Sequence, residues 1–366
     1  MLTSTTDVAV VGAGIVGLAT AYELTRAGAS VTVYEAGAPG GGQSAGDARI
    51  FRHAHVDARL AGFVTRSRAI WREWSDTFGT ELVSPDGAVA LGPAVESRMQ
   101  VLRTLADVTV RPLDAAELRA RLPLLAPYDG PAMLDETGGA IRTRAAVTRL
   151  SAALGDALVR DHVLTLRRTA SGTVEVRTGT RRGTHAYVVV CAGLGTAPLA
   201  HGIGLSLPVQ VSAHVRVTFA VREAPPRRLA TLQDSSGAFG EEGVYAAPVP
   251  DNSRYGVGLA ASVPVNDDGR SIDPAALDAL ATRAADYVRV ALPGLDPTPV
   301  GHVHCWVTTL PWGDDGVAVW EDDGIAFVAG HNLYKQAPAL GVELAALAMT
   351  GTLADELRPA ARLGRD

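Results

Sequence analysis

Residues 8–36, VAVVGAGIVGLATAYELTRAGASVTVYEA, constrain the fold more than any other stretch of this chain. The apolar run 8–11 reads as a buried parallel strand, broken at Gly12, Gly14 and Gly17. A helical pattern follows through Ala21 and Leu24. Gly28 then precedes a second apolar run, 31–34, which ends in Glu35. Gly12 permits a tight turn, Gly14 lets backbone approach a pyrophosphate, and Gly17 lets helix and strand pack closely. Free N–H groups at the helix start favour phosphate, and Glu35 can accept from a ribose hydroxyl. A strand, a Gly-rich turn, a helix and a terminal acid in this order imply a dinucleotide site. The glycines alone do not separate FAD from NAD.

The 366 residues, 47% apolar, are enough for two packed domains. No apolar run is long enough for a membrane span, and a first strand so close to Met1 leads us to expect no secretory signal. Two distant cysteines, Cys191 and Cys305, suggest no disulfide framework and point to a reducing cytoplasm. A net charge of −6 without a basic cluster argues against nucleic acid as partner. Lys335 is the single lysine in an arginine-rich chain. Codon bias explains the excess of arginine but not the exception.

Residues 57–78 form the clearest amphipathic helix, with Leu60, Phe63, Val64, Ile70, Trp71, Trp74 and Phe78 near one stripe and Asp57 as cap. A short helix is expected from Asp114 to Leu122, one with Thr143 near its start, and one after Asp273-Pro274. The runs 162–168, 173–178 and 185–191 read as an antiparallel meander ending in VVVCAG. From 208 to 221 the alternation is clean: Val209, Val211, Ala213, Val215, Val217, Phe219 and Val221 on one face, and Gln210, Ser212, His214, Arg216 and Thr218 on the other. That polar face either meets solvent, the default expectation, or roofs a binding site. A strand at 255–260 and a closing strand–glycine–helix block complete the pattern. The fold class is α/β (α+β).

Three segments, GDARIFRHAH at 46–55, HCWVTT at 304–309 and the VAG…YK…G block at 328–341, resemble the D-amino-acid oxidase family of FAD enzymes, most closely its sarcosine oxidase and N-methyltryptophan oxidase branch. The resemblance runs along essentially the whole chain and favours FAD over NAD. It implies a Rossmann-like FAD-binding domain from residues 1–84, 141–204 and 302–366, and a mixed-sheet substrate domain from 85–140 and 205–301. It also implies a final helix, starting near Pro338, whose N-terminus faces the flavin.

The resemblance assigns cofactor contacts to Gly12, Ala13, Gly14, Ile15, Val16, Gly17, Glu35, Ala36, Gln43, Ser44, Arg49, Val163, Ala192, Gly193, Cys305, Gly330, Asn332 and Lys335. By the same likeness Arg49 touches the ring, while Arg52 and Lys335 grip a substrate carboxylate, a task suited to guanidinium geometry. Tyr245 and His331 would line the pocket. Cys305 stands where the branch bonds covalently to the flavin 8α-methyl; a buried structural cysteine is the ordinary alternative. Cys191 reads as core.

The chain also departs from the pattern. Near 256–262 it reads GVGLAAS, so Gly258 replaces a lysine associated with oxygen and Ser262 an active-site histidine. Val307 replaces a tyrosine, and the turn before Lys335 is shortened to HNL. Sarcosine itself is therefore disfavoured, and oxygen would react through another positive group (Arg49, His331) or electrons would leave elsewhere. His53 and His55, like His302 and His304, alternate along strands without the convergence a metal needs. The expected activity is FAD-dependent oxidation of the C–N bond of an amino acid or secondary or cyclic amine, with O2 as acceptor and a monomer or homodimer as the assembly. A dehydrogenase, a flavin monooxygenase and a non-catalytic flavoprotein subunit are the competing classes. The late VAGHN in place of a GDA-type loop counts against the monooxygenase.

Overall fold

The computed structural model describes residues 7–266 and 268–365 and divides the chain into two compact units. The first comprises residues up to Ala45, Arg144–Gln210 and Thr308 onward. The second comprises Gly46–Thr143 and Val211–Val307. Compactness thus groups residues 46–84 with the second unit, whereas the resemblance assigns them to the cofactor domain. The reason is pairing: Ala48–Phe51 forms an antiparallel ribbon with Gly139–Arg142.

The first unit is built on a six-stranded sheet ordered Val317–Asp322, Ile325–Gly330, Tyr187–Val190, Asp7–Val11, Ser30–Glu35, Leu158–Arg160. It is parallel except for the hairpin of its first two strands. Asp7–Val11 leads into the helix Ile15–Arg26, as the glycine pattern requires. A Cβ on Gly17 would overlap the Gly12 carbonyl oxygen, and one on Gly12 would stand 2.6 Å from the Cys191 oxygen. Both glycines are therefore fixed by contact, not only by turn conformation.

The expected three-run meander is corrected here. Val163–Arg168, Val174–Thr178 and Arg182–His185 do form an antiparallel three-stranded sheet. Tyr187–Val190, however, leaves it to pair in parallel with Asp7–Val11 and Ile325–Gly330. Val188, Val189 and Val190 are fully buried, the pattern of a strand covered on both faces.

The final helix runs Leu333–Thr350, so Pro338 lies inside it and does not start it. An internal proline costs about 3 kcal/mol in an exposed helix. Here the buried run Tyr334–Gly341 packs along Ile15–Arg26 so closely that a Cβ on Gly341 would stand 2.8 Å from the Ala19 backbone. That burial offsets the lost hydrogen bond.

The second unit holds a nine-stranded mixed sheet among the described residues. Gln210–Val221 pairs antiparallel with Arg254–Leu259, which pairs with Val244–Pro248. Leu295–Thr309 also pairs with Gln210–Val221. The helix Pro274–Ala291 covers one face with Leu280, Ala284, Tyr287, Val288 and Ala291. Caps fall where local chemistry puts them. Asp57 accepts from Arg59 N–H, Asp273 from Ala276 N–H, and Asp114 with Glu117 closes a reciprocal box. No helix among the described residues is long and apolar enough to cross a membrane.

Candidate active site

In the first unit, the residues expected at the cofactor gather at the carboxyl ends of three neighbouring parallel strands, where open α/β sheets bind ligands. Gly14 caps Ile15–Arg26 without a side chain, which leaves first-turn N–H groups for an anion. Ser44 Oγ accepts from Ile15 N–H at 2.9 Å and would stand 3.3 Å from any Cβ on Gly14. Glu35 holds the loop from both oxygens, accepting from Ala13 N–H and Gly37 N–H at 2.7 Å each. A carboxylate has lone pairs beyond these two, so ribose hydroxyls can still donate to it. Gln43 donates to Thr308 Oγ1 at 3.3 Å, and its Oε1 lies against Gly193, whose φ is 57°. Ala192 ends the turn into Gly193, Val163 is buried at the head of its strand, and Ala36 is exposed. This bare-backbone cradle with an acid beside it fits the pyrophosphate and ribose of FAD.

The head of Leu333–Thr350 gathers the remaining first-unit residues. Gly330 ends its strand, and Asn332 caps the helix in the left-handed conformation with Nδ2 donating to Asp315 Oδ1 at 2.7 Å. Lys335 is 4% exposed; its Nζ donates to the Asn332 carbonyl at 3.3 Å and lies 3.8 Å from Asp315 Oδ1. Asp315 as its ion-pair partner had no sequence signal. His331 is half-buried, its Nδ1–H on the Asp314 carbonyl at 2.9 Å.

In the second unit, Arg49 and Arg52 come from the strand Ala48–Phe51 and the residue after it. Arg52 donates to the Ala54 carbonyl and faces His55 Nδ1 at 3.3 Å. Beside it His53 is fully buried, with both its N–H and its Nδ1 on Asp135 Oδ2 at 2.9 Å, and so anchors this loop. His53 is a core histidine. Among the described residues no group of three or more His, Cys, Asp or Glu is placed to hold a metal.

The polar face of Gln210–Val221 is buried at its middle while Gln210 stays exposed, so the default expectation of a solvated face is corrected for His214 and Arg216. His214 is 7% and Arg216 9% exposed. Arg216 Nη1 donates to the Ala48 carbonyl at 3.0 Å, and Arg49 Nη1 donates to the same oxygen at 3.0 Å. Arg216 Nη2 lies 3.9 Å from Cys305 Sγ. Tyr245, Gly258 and Arg216 are register partners on three adjacent strands. Any Cβ on Gly258 would overlap the Tyr245 ring, so this tyrosine in its present position occupies the space beside Gly258. Burial pushes the Tyr245 phenol up to about 12, against the pull of the Arg216 and Arg49 charges. His214 donates Nδ1–H to the Leu259 carbonyl at 3.0 Å; burial lowers its pKa, only partly opposed by that bond. Burial thus favours its neutral form. The regular alternation at 210–221 carried the signal for Arg216 and His214; alternation alone does not say what covers a polar face. Cys191, by contrast, is buried core, its thiol pushed up to about 12 by desolvation.

The family model for FAD dependent oxidoreductases matches residues 7–347. The chain belongs to that family. It is an FAD-dependent oxidoreductase of the D-amino-acid oxidase type, as the motifs imply. It is 27% identical to N-methyl-L-tryptophan oxidase of Salmonella arizonae, over 96% of this chain and 97% of the relative. Its fold is similar to that of NikD, an unusual amino acid oxidase essential for nikkomycin biosynthesis, with a TM-score of 0.83, 20% identity and coverage of 100% and 98% of the two chains. Glycine oxidase from Geobacillus kaustophilus shares the fold at a TM-score of 0.76, with 22% identity over 94% of this chain and 95% of that one.

Proposed function

We propose that this oxidoreductase converts the C–N bond of an amino acid, or of a secondary or cyclic amine bearing a carboxylate, to an imine, with O2 as acceptor and H2O2 as product. Lys335 carries the reading: the only lysine of the chain is buried at the head of the last helix of the FAD-binding unit. FAD, held by the Gly12–Gly17 turn and Glu35, would supply the two-electron sink. Arg52 and Lys335 hold the substrate carboxylate and present the α-carbon hydrogen, so catalysis is chiefly positioning. Tyr245 and His331 line the pocket. The relatives named as oxidases of amino acids and N-methyl amino acids support this substrate class. The free cysteines, Cys191 and Cys305, suit a reducing cytoplasm.

One observation favours a second reading, a dehydrogenase. Gly258 stands where the resemblance expects the oxygen-associated lysine. An anaerobic screen of amino acids and cyclic amines, read by loss of flavin absorbance, followed by a peroxide assay in air, separates the two. Bleaching with stoichiometric peroxide supports the oxidase, and bleaching without peroxide the dehydrogenase. No bleaching by any amine removes both.

Arg52→Ala and Lys335→Ala are each expected to raise the dissociation constant of a carboxylate inhibitor by roughly 10- to 100-fold, the worth of a charged hydrogen bond. Unchanged binding in both variants would take these residues out of the site. We also propose that Cys305 bonds the flavin. Flavin fluorescence should then migrate with the denatured wild-type polypeptide and be absent from Cys305→Ser; a wild type that loses its flavin on denaturation rejects the bond.

A further inference from the structure

A guanidinium removed from water is costly unless a negative charge compensates it. Arg216 is 9% exposed, and its hydrogen bonds among the described residues go to the Ala48 carbonyl and the Cys305 sulfur, neither of them a carboxylate. Arg49 Nη1 donates to that same carbonyl oxygen, which draws the two guanidinium groups together. Gly46, at φ 115°, makes the room: a Cβ there would stand 2.9 Å from Arg49 Nη1 and 3.1 Å from Arg216 Nη2. On the neighbouring strand Gly258 offers no side chain opposite Arg216, and Tyr245 closes the row beyond it. The Arg216 guanidinium is thus fixed in place with no carboxylate bonded to it among the described residues, so its anion arrives with the reaction.

Two negative charges enter the proposed chemistry. The substrate carboxylate is assigned to Arg52 and Lys335. The other develops on O2 as it accepts electrons, and preorganised cations are most effective on charge that appears only during the reaction. We propose that Arg216, with Arg49, is a catalytic residue of the oxygen step and stabilises the negative charge that builds on O2. This rests on the reading of O2 as acceptor. In the balanced reaction the amine loses a hydride from carbon and a proton from nitrogen to give the imine. Its two electrons pass through the flavin to O2, which takes up two protons and leaves as H2O2. The register of Arg216 opposite Gly258 explains how a chain without a lysine there keeps a positive charge in the same row.

The test uses holoenzyme reduced anaerobically with dithionite and mixed with O2 in a stopped-flow instrument. Arg216→Gln is expected to slow reoxidation roughly 100-fold, and Arg216→Lys, which keeps the charge on a shorter reach, about 10-fold. Anaerobic reduction by amine and the dissociation constant of a carboxylate inhibitor should stay within about two-fold of wild type. Bromide, titrated into the oxidised holoenzyme and followed by the visible spectrum, should bind wild type and not Arg216→Gln. Wild-type reoxidation in both variants with bromide binding retained overturns the proposal. A weakened inhibitor in place of slowed reoxidation also overturns it, by giving Arg216 to the substrate carboxylate. If Arg216→Gln does not fold, Arg216→Lys decides on the same readouts. Wild-type enzyme that O2 does not reoxidise removes the acceptor reading itself, a result distinct from variants that match an O2-reactive wild type.

Discussion

Gly17→Val is expected to give a colourless protein that does not take up FAD and is destabilised by about 3 kcal/mol or more. The added atoms would overlap the Gly12 carbonyl oxygen, and a backbone group in the turn directly after Asp7–Val11, itself bonded through its N–H to the Tyr34 carbonyl, cannot rotate away. The helix Ile15–Arg26 must then lift from Asp7–Val11, and the N–H groups of its first turn no longer converge on one point. Gly28→Ala is the contrasting control. Its φ of 84° makes the substitution cost roughly 1 kcal/mol, yet open space surrounds the position, so FAD should be retained. Visible absorbance of the purified variants and chemical denaturation measure both effects. A yellow Gly17→Val protein with wild-type stability would refute the close approach.

Asp135→Ala is the second large effect. Asp135 is 1% exposed and accepts from His53 N–H, His53 Nδ1, Thr137 Oγ1 and Gly138 N–H. Removing the carboxylate strands these donors in the interior, for a loss of about 3–5 kcal/mol by denaturation. Burial works to raise the Asp135 pKa, but the His53 charge and the hydrogen bonds outweigh it and hold the carboxyl below its ordinary value. A depressed folded pKa gives stability that is full above the unfolded value near ~4 and is lost as pH falls through the folded value. The gap between wild type and variant should therefore narrow in acid below about pH 4. A gap that ignores pH would show that the carboxylate charge does not matter. Because His53 adjoins Arg52, the variant should also weaken carboxylate inhibitors, reporting the anchoring of that loop.

Local chemistry was legible in the chain. Asp57, Asp114 and Asp273 cap their helices because an N-cap concerns a side chain and an N–H two or three residues away. The Gly12–Gly17 turn and Glu35 were legible for the same reason, since strand, turn and helix follow one another directly. Tyr187–Val190 was not, since four apolar residues suit a meander edge or a parallel core equally, and only its pairing with Asp7–Val11 decides. Pro338 misled because its cost is local while the packing that offsets it comes from a helix more than three hundred residues earlier in the sequence.

The sequence by itself determined the nucleotide-binding fold, the family and the helix boundaries set by caps, all of which rest on contacts between near neighbours or on short matched motifs. Only the tertiary structure decided which charges lie buried and beside what. Arg216 reads as one arginine among many until strand register sets it opposite Gly258 and the Ala48 carbonyl draws Arg49 to the same point. Electrostatic environment depends on distance and dielectric, which are properties of the folded arrangement and not of spacing along the chain.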